Sequence, residues 1–456
     1  MSEHDAIVIG AGPAGEVCAG RLAAEGLDVA LVERELVGGE CAYWACMPSK
    51  ALLRPAQLLA EAHRVPGVRE AVTGELDPLA VLARRDEVIH GLDDAGQLQW
   101  LTDRKITLIR GQARLDGERR VRIADTDQLL QARRAVVIAV GSGAAIPPVP
   151  GLQELAPWTN RQGTTAETVP ARLTVLGGGA VGCELAQAWS SLGATVTLVE
   201  AQPGLLPGEE PFAGEQLAAQ LGEHGVDVRT GVTATAAQRD PDGIFTLTLD
   251  DGDTVDSDEL LVAVGRRPHT DNLGLETVDL ASGELITVDD RMRVPGRDWL
   301  YAIGDVNGRA LLTHVGKYQA LIATATIMNR PAAMEWDGAL APRVVFTEPQ
   351  VAAVGRTLDE ALAAGLPARA VDADPGATPG ASFIGKGARS GARIVVDERR
   401  EVLIGATFIG PEIAESLHAA TIAIVGEVPL RRLVHALPAF PTRSEVWLKL
   451  LDPWAP

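Results

Sequence analysis

A glycine-rich turn between an apolar strand and a helical pattern occurs twice in this chain, and this repeat limits the fold more than any other feature. The first copy follows the apolar run at residues 6–9 and contains Gly10, Gly12 and Gly15. A helical pattern and a second apolar run come next, and that run ends at Glu33. In this setting the glycines let the backbone approach a pyrophosphate at the helix N-terminus, and the acid binds ribose hydroxyls.

The second copy follows the apolar run at residues 173–176. It contains Gly177, Gly179 and Gly182, and its second apolar run ends at Glu200. The first glycine and the acid are 23 positions apart in both copies. A single motif of this kind also occurs at ordinary tight strand-to-helix turns. Two at one spacing predict two dinucleotide sites, and such a chain most simply moves a hydride between nicotinamide and flavin.

Each strand–turn–helix–strand copy with its closing acid is called a fingerprint below. Two of the four cysteines, Cys41 and Cys46, lie in a short segment after the first fingerprint. Five positions along a regular α-helix would separate their Cα atoms by roughly 8–9 Å. A disulfide needs about 4.4–6.8 Å, so a bridged pair would exclude a regular helix through the segment. Pro48 suits the first turn of the helix predicted over residues 51–62. From these residues alone, two buried thiols that never meet are an equally good interpretation.

Residues 38–50 resemble the redox-active segment of the FAD-dependent pyridine nucleotide-disulfide oxidoreductases. The usual form in that family is Gly-Gly-Thr-Cys-Leu-Asn-x-Gly-Cys-Ile-Pro-Ser-Lys, and this chain keeps both cysteines and the Pro-Ser-Lys end. It departs from that form at Glu40, Ala42, Tyr43, Ala45 and Met47. The resemblance extends from residue 7 to residue 447 and implies that Cys41 and Cys46 form a redox-active disulfide.

The resemblance also implies an α/β fold with two Rossmann-like dinucleotide-binding domains, for FAD and NAD, and a C-terminal α+β dimerisation domain. The FAD-binding domain would comprise residues 1–150 and 273–340. The NAD(P)-binding domain would comprise residues 151–272, and the dimerisation domain residues 341–456. A length of 456 residues fits about three domains.

Several local elements are predicted from apolar spacing and turn residues. Residues 78–104 show a largely helical pattern, with Asp77 as N-cap. Residues 394–396 and 402–409 are predicted to be paired strands around a charged turn. A helix is predicted over residues 411–425.

The family pattern assigns further cofactor positions. Asp305 would bind the ribityl chain of the flavin, although an aspartate in this sequence also suits a turn or a helix N-cap. His314 would lie where the family chain passes under the isoalloxazine, and it is interpreted as structural rather than catalytic. The remaining FAD positions are Gly39, Lys50 and Gly141, and the remaining NAD position is Gly265.

The resemblance assigns different roles to the two cysteines. Cys41 would be the interchange thiol that meets the substrate, and Cys46 would face the flavin as a thiolate. Both need a lowered pKa, which a helix N-terminus near Pro48 would favour. Lys50 and Glu184 would form an ion pair beside the flavin N5, where a cation stabilises the anionic reduced flavin. The alternative is that both are ordinary solvated helix residues.

The sequence departs from the family pattern at a catalytic motif near the C-terminus. The family reads His-Pro-Thr-x-x-Glu, in which the histidine of the partner subunit accepts a proton from the interchange thiol and the glutamate orients it. Here Phe440 takes the histidine position and Glu445 is kept. Phenylalanine cannot accept a proton, and His435, five residues earlier, is separated from it by Pro438. One family member, 2-ketopropyl-coenzyme M oxidoreductase/carboxylase, also has phenylalanine here but changes the glutamate position.

Composition excludes several classes of function. The formal net charge of −20 opposes binding to nucleic acid or anionic lipid. No apolar run approaches the roughly 18 residues of a membrane span, and the N-terminus lacks a basic segment and a cleavage site, so the cytoplasm is expected. No metal site is predicted. The absence of a cysteine pair near the C-terminus disfavours a mercuric reductase.

The sequence therefore predicts a homodimeric FAD enzyme that passes electrons from NADH to its own disulfide and on to a small-molecule disulfide or other electrophile. NADH is preferred over NADPH because Glu200 would repel a 2′-phosphate and residues 201–204 contain no Arg or Lys. The alternatives are a carboxylase-type or quinone-reducing flavoprotein, or a redox-sensing FAD-binding protein.

Overall fold

The computed structural model describes residues 1–336 and 338–456 and divides into two compact units. The first unit consists of Met1–Pro48, Asp86–Ala144 and Arg266–Gly338. The second consists of Ser49–Arg85, Ala145–Gly265 and Ala339–Pro456. The finer three-domain boundaries derived from the sequence stay a prediction.

The strands and α-helices follow one another as a mixed α/β chain. The strands are β1 Ser2–Ile9, β2 Val29–Glu33, β3 Thr107–Arg110, β4 Ala113–Leu115, β5 Arg120–Ile123, β6 Gln128–Ile138, β7 Ser142–Ala144, β8 Arg172–Leu176, β9 Thr195–Glu200, β10 Asp227–Thr230, β11 Ala234–Arg239, β12 Phe245–Leu249, β13 Thr254–Ser257, β14 Glu259–Val262, β15 Arg266–Pro268, β16 Leu300–Ala302, β17 Arg343–Val345, β18 Gln350–Gly355, β19 Ala368–Ala373, β20 Gly391–Asp397 and β21 Val402–Gly410. The helices are α1 Pro13–Ala24, α2 Gly39–Tyr43, α3 Cys46–Arg64, α4 Pro78–Val88, α5 Ala95–Asp103, α6 Asn160–Thr165, α7 Ala180–Ser191, α8 Pro211–Glu223, α9 Thr313–Ile327, α10 Leu358–Ala363, α11 Leu417–Val425, α12 Leu430–Leu433 and α13 Val446–Leu450.

The first unit is built on a sheet with the strand order β3-β2-β1-β6-β5-β4, in which β16 also pairs with β6. The strands β1, β2, β3, β6 and β16 pair in parallel. The apolar residues at the end of β1 are fully buried, as expected for a parallel strand covered on both faces. This arrangement places the ends of β1 and β6 side by side.

The second unit contains a parallel sheet with the order β10-β9-β8-β14, which has the same strand–helix–strand arrangement as β1, α1 and β2. It also contains the antiparallel sheets β11-β12-β13 and β17-β18-β21-β20-β19. The paired strands predicted around residues 394–409 are confirmed, because β20 and β21 are antiparallel neighbours.

Two predicted helices begin at different residues from those expected. The helix predicted over residues 411–425 becomes α-helical only at Leu417, because Glu412 adopts a left-handed φ of 48° and a 3₁₀ turn follows it. The helix predicted over residues 51–62 begins earlier, at Cys46, with Pro48 in its first turn as expected. At α4 the predicted N-cap is confirmed, since the backbone N–H of Leu79 donates to Asp77 Oδ1 at 2.9 Å. In the described residues, none of the helices has the length and apolar character to cross a membrane.

Candidate active site

The first fingerprint turn is shaped by two close backbone approaches. Gly10 has a φ of 98°, and a Cβ added there would lie 2.4 Å from the carbonyl oxygen of Ala139. A Cβ added to Gly15 would lie 1.9 Å from the carbonyl oxygen of Gly10. Real Cβ atoms do not come this close to backbone, so both positions require glycine. Helix α1 therefore rests directly on the turn that ends β1.

The second fingerprint repeats this geometry almost atom for atom. Gly177 has a φ of 112°, and an added Cβ would lie 2.5 Å from the carbonyl oxygen of Ala263. A Cβ added to Gly182 would lie 1.8 Å from the carbonyl oxygen of Gly177. The sequence repeat is therefore a repeat of the same packing constraint.

The middle glycine of each fingerprint, unlike the first and the last, has open space where a side chain would lie. Gly12 and Gly179 are the N-caps of α1 and α7, with extended backbone and no side-chain capping bond. A Cβ added to either one would meet nothing within 4 Å. Each helix therefore starts at an open place with its first-turn N–H groups facing outward, and a pyrophosphate fits such a place. The residues present at each turn therefore fit the pyrophosphate of a dinucleotide, and which dinucleotide each turn takes stays a prediction.

The acids at the ends of β2 and β9 are buried and held by backbone N–H groups. Glu33 accepts from the N–H of Ala11 through Oε2 and from the N–H of Glu35 through Oε1, both at 2.7 Å. The second copy has the same two bonds, from Gly178 N to Glu200 Oε2 at 2.6 Å and from Gln202 N to Glu200 Oε1 at 2.7 Å. Each carboxylate is thus fixed beside its glycine turn, where ribose hydroxyls can donate to its remaining lone pairs.

Two other glycines assigned to FAD lie in the first unit. Gly39 has a φ of 60°, and an added Cβ would lie 2.8 Å from the Cα of Gly12. The N–H of Gly38 also donates to the carbonyl of Ala11 at 2.8 Å. The cysteine-bearing segment therefore lies against the first fingerprint turn. Gly141 has a φ of 67° and open space around it.

Asp305 begins a short 3₁₀ turn after β16. Its Oδ2 accepts from the hydroxyl of Ser142 at 2.6 Å and lies 3.5 Å from Nε of Arg266. Ser142 and Arg266 were not among the predicted site residues, although both directly follow assigned glycines. Gly265 is exposed with open space around it. His314 is exposed in the first turn of α9, and its expected structural role stays a prediction.

The two cysteines lie on different helices. Helix α2 ends at Tyr43, Trp44 follows with a φ of −134°, and α3 begins at Cys46. The interruption required for a bridged pair is therefore present. Both cysteines are partly buried, and Cys41 hydrogen-bonds with Cys46. The disulfide stays a prediction.

Thr313, at the start of α9, contacts both thiols. Its Oγ1 lies 3.5 Å from Sγ of Cys46, and it also hydrogen-bonds with Cys41. The hydrogen bond with Cys46, together with burial, raises the pKa of Cys41, while Thr313 and Lys317 act in the opposite direction. The expectation of a lowered pKa is wrong for Cys41, because a second thiol shares its site. The sequence contained no signal for Thr313, which is 267 positions from Cys46.

Lys50 and Glu184 are in direct contact within the second unit. Nζ of Lys50 donates to Oε2 and Oε1 of Glu184 at 2.7 and 3.0 Å. The carboxylate also accepts from the hydroxyl of Ser49 at 3.2 Å and from the N–H of Phe346 at 2.9 Å. Glu184 is only 4% exposed, so these donors replace the water that a buried charge loses. The role of the pair beside the flavin stays a prediction.

Phe440 and Glu445, the residues at the positions of the family's catalytic histidine and glutamate, lie in the second unit, whereas the cysteines lie in the first. Phe440 is 77% exposed. Glu445 is buried, and its Oε2 accepts from the N–H of Thr442 at 3.2 Å in a capping box. Among the described residues, no group of three or more His, Cys, Asp or Glu side chains could hold a metal ion.

Comparison with known proteins decides the family. The model of the pyridine nucleotide-disulphide oxidoreductases matches residues 4–334, and the model of their dimerisation domain matches residues 341–451. This chain belongs to the pyridine nucleotide-disulphide oxidoreductases. It is therefore a pyridine nucleotide-disulfide oxidoreductase enzyme, and the predicted α/β fold of this family is confirmed. The family is FAD-dependent and uses a pyridine nucleotide.

Relatives in the family match over nearly the whole chain. Dihydrolipoyl dehydrogenase of Haloferax volcanii is 32% identical, with 98% of this chain and 95% of the relative covered. Mercuric reductase of Acidithiobacillus ferrooxidans is also 32% identical, with 96% and 80% covered. The structure is similar to that of the HOCl-induced flavoprotein disulfide reductase RclA from Escherichia coli, solved as a Cu(II) complex, with a TM-score of 0.86, 24% identity and 100% of both chains covered. LpdA from Mycobacterium tuberculosis gives the same TM-score, identity and coverage.

The two fingerprints should respond separately to an added methyl group. Gly15→Ala places a Cβ against the carbonyl of Gly10, so we expect protein that purifies with little FAD. Gly182→Ala makes the same clash in the second copy, so we expect normal FAD content but little flavin reduction by NADH. The absorbance ratio of flavin to protein and anaerobic reduction by NADH measure the two effects.

Gly222→Ala is the matched control, because it lies inside α8 and an added Cβ meets nothing within 4 Å. This variant should behave like the native enzyme. Loss of FAD in Gly182→Ala, with retention in Gly15→Ala, would reverse the assignment of the two sites.

Proposed function

We propose that this enzyme passes electrons from NADH through FAD to a disulfide between Cys41 and Cys46, and from the resulting thiols to a small-molecule disulfide or other electrophile. The observation that carries the proposal is the packing of the cysteine segment against the first glycine turn, where Gly39 touches Gly12. This contact supports the proposal, because a cysteine pair close to the turn that would bind the cofactor could exchange electrons with it.

The cofactor residues divide between the two fingerprints. Gly12 and Glu33 would hold the pyrophosphate and ribose of FAD, Asp305 its ribityl chain, and Gly179 and Glu200 the corresponding parts of the nicotinamide dinucleotide. Bound FAD would supply two-electron transfer between the nicotinamide and the disulfide. Lys50, one helical turn after Cys46 on α3, would supply the positive charge that favours an anionic flavin and an anionic sulfur.

Substrate reduction would follow thiol–disulfide exchange. Two electrons and one proton break the Cys41–Cys46 bond and leave a thiol at Cys41 and a thiolate at Cys46. Cys41, once deprotonated, attacks a sulfur of the substrate and releases the first thiol in exchange for a mixed disulfide. The Cys46 thiolate then attacks the sulfur of Cys41, which reforms the internal bridge and releases the second substrate sulfur as a thiolate that takes a proton from water.

We propose that the enzyme acts as a homodimer. The region matched by the dimerisation model exposes large apolar side chains, which a second copy would bury: Ile422, Leu437, Phe440 and Leu448. A cytoplasmic location belongs to the same proposal, because in a reducing compartment a disulfide is more often catalytic than structural, as proposed for Cys41 and Cys46. The carboxylase-type and quinone-reducing alternatives are not proposed, because Phe440 alone points toward the carboxylase and Glu445 is kept.

The proposal is tested by exchanging each cysteine for serine. In the native enzyme, two-electron reduction should leave a long-wavelength absorbance from a Cys46 thiolate beside the flavin. Cys46→Ser should abolish this band, and Cys41→Ser should preserve or increase it, because the remaining thiolate has no partner to bridge. Anaerobic titration with NADH or dithionite measures the band. The reverse result would exchange the roles of the two cysteines, and no band in any form would contradict the proposal.

Coenzyme preference is a second prediction. Glu200 presents a fixed carboxylate beside the second glycine turn, and residues 201–204 supply no Arg or Lys. A 2′-phosphate would therefore be repelled without compensation, and kcat/KM should be higher with NADH than with NADPH by about tenfold or more. Steady-state assays with both coenzymes at fixed acceptor measure this ratio. Equal or better kcat/KM with NADPH would refute the prediction.

The third prediction concerns the position of Phe440. A positioned general base contributes roughly 10²–10⁴-fold to proton-transfer steps, and here that position holds no base. Because the pKa of Cys41 is raised, its thiolate fraction is small at neutral pH and grows in alkali. Turnover with lipoamide- or glutathione-type disulfides should therefore be poor near pH 7 and rise with pH. Reduction of the flavin by NADH should not depend on this base.

Phe440→His should raise disulfide turnover at neutral pH and leave flavin reduction by NADH unchanged. Stopped-flow reduction and steady-state disulfide assays on both proteins separate the two half-reactions. Phe440→Leu is the matched control, because it changes the side chain without supplying a base. Fast native turnover at neutral pH that Phe440→His does not change would show that another residue is the base.

A further inference from the structure

The segment Phe346–Glu348, directly after β17, is bound to one face of α7 by hydrogen bonds between its backbone and side chains of the helix. The N–H of Phe346 donates to Oε1 of Glu184 at 2.9 Å. The N–H of Glu348 donates to Oε1 of Gln187 at 2.7 Å, and Nε2 of Gln187 donates to the carbonyl of Glu348 at 2.9 Å. Glu184 and Gln187 are three positions apart on a helix and so share a face, to which the backbone of both Phe346 and Glu348 is bound.

Gln187 is a buried polar residue that no motif accounts for. It is 4% exposed, and its amide uses both its oxygen and its nitrogen on a single residue, Glu348. Water cannot replace these two bonds at so low an exposure, so the loss of the amide would leave a backbone N–H and a carbonyl unpaired. The conformation of the segment therefore depends on this side chain.

The same segment is held from its other side by α3. Nζ of Lys50 lies 4.8 Å from the ring centroid of Phe346, and Nε2 of Gln57 donates to the carbonyl of Phe346 at 2.8 Å. Nη1 of Arg64 pairs with Oε1 of Glu348 at 2.6 Å. Lys50, Gln57 and Arg64 follow one another at seven-residue spacing, two helical turns, and so lie along one face of α3.

The position of the Lys50–Glu184 pair therefore depends on Phe346. Phe346 contributes its N–H to the carboxylate of Glu184 and its ring to the ammonium of Lys50. Its backbone is in turn fixed by the bonds of Gln187 to Glu348 two residues further on. A shift of this segment would move a donor and an aromatic face away from the two charges.

We propose that Gln187 is a positioning residue for the redox reaction: it fixes the Phe346–Glu348 segment and thereby the Lys50–Glu184 ion pair. This inference rests on the proposed function of that pair beside the flavin. It assigns to Gln187 no contact with substrate or cofactor.

The test is a double-mutant cycle on the FAD-loaded full-length enzyme. Lys50→Met removes the cation, Gln187→Met removes the amide at similar volume, and the third protein carries both changes. Each is reduced anaerobically with NADH in a stopped-flow instrument, and the rate of flavin reduction and the amplitude of the long-wavelength thiolate band are recorded. Hydrogen exchange of peptides that contain Phe346 gives a readout that does not involve the flavin.

We expect Gln187→Met to lower the rate of flavin reduction by about tenfold, to weaken the band and to speed exchange at Phe346. In the Lys50→Met background, Gln187→Met should change neither the rate nor the band further. Gln216→Met, on α8, is the matched control and should leave all three readouts as in the native enzyme. Gln57→Met removes one bond from the other side of the segment, and a smaller change in the same direction is expected even if Gln187→Met folds poorly.

The outcomes distinguish the role of the Lys50–Glu184 pair in the reaction from the positioning role of Gln187. If Lys50→Met leaves the rate and the band unchanged, the proposed role of the ion pair is wrong and the positioning role falls with it. If Lys50→Met has its effect but Gln187→Met and Gln57→Met behave like Gln216→Met, only the positioning role is overturned. Equal losses from Gln187→Met in both backgrounds would also overturn it, because they would show a general structural effect.

Discussion

In both nucleotide-binding halves, the helix packs directly on the backbone of the turn before it, with no side chain between them. This contact determines where each helix begins. At Gly15 and Gly182 the α-carbon of the helix lies against the carbonyl of the first glycine in the turn. This closeness aims the helix N-terminus at the open space beside the middle glycine. A single methyl group at either position would push the helix away and misdirect its N–H groups. The dinucleotide sites therefore depend on the absence of atoms as much as on the side chains that surround them.

Buried charge is the second constraint. Glu184 lies in the interior with a lysine, a hydroxyl and a backbone N–H as partners. A carboxylate in such a place is tolerated only while its donors stay in position, since the removal of one partner leaves an uncompensated charge. This explains why so many hydrogen bonds converge on the Phe346–Glu348 segment. The segment serves as a fixed support between α3 and α7.

The sequence predicted the features that depend on local order. The glycine spacing indicated both strand–turn–helix units, and a bridge between Cys41 and Cys46 would have required a helix break of the kind that occurs at Trp44. It did not predict Thr313 or Gln187, whose partners lie 267 and 161 positions away. A polar residue in a helical pattern has no local signal that distinguishes a solvated face from a buried contact. The raised pKa of Cys41 was missed for a similar reason, because it depends on how closely the second thiol approaches.

The way Glu200 is held has a consequence for the evolution of coenzyme choice. Both carboxylate oxygens accept backbone N–H groups, from Gly178 and Gln202. A small neutral residue at this position would make room for a phosphate but would strand those two donors, at a cost of about 1–3 kcal/mol for each one that stays buried. A mutational path from one coenzyme to the other would thus pass through a less stable protein unless the turn were rebuilt first. Under the proposed role of Glu200, the coenzyme preference and the conformation of the turn would therefore depend on the same side chain.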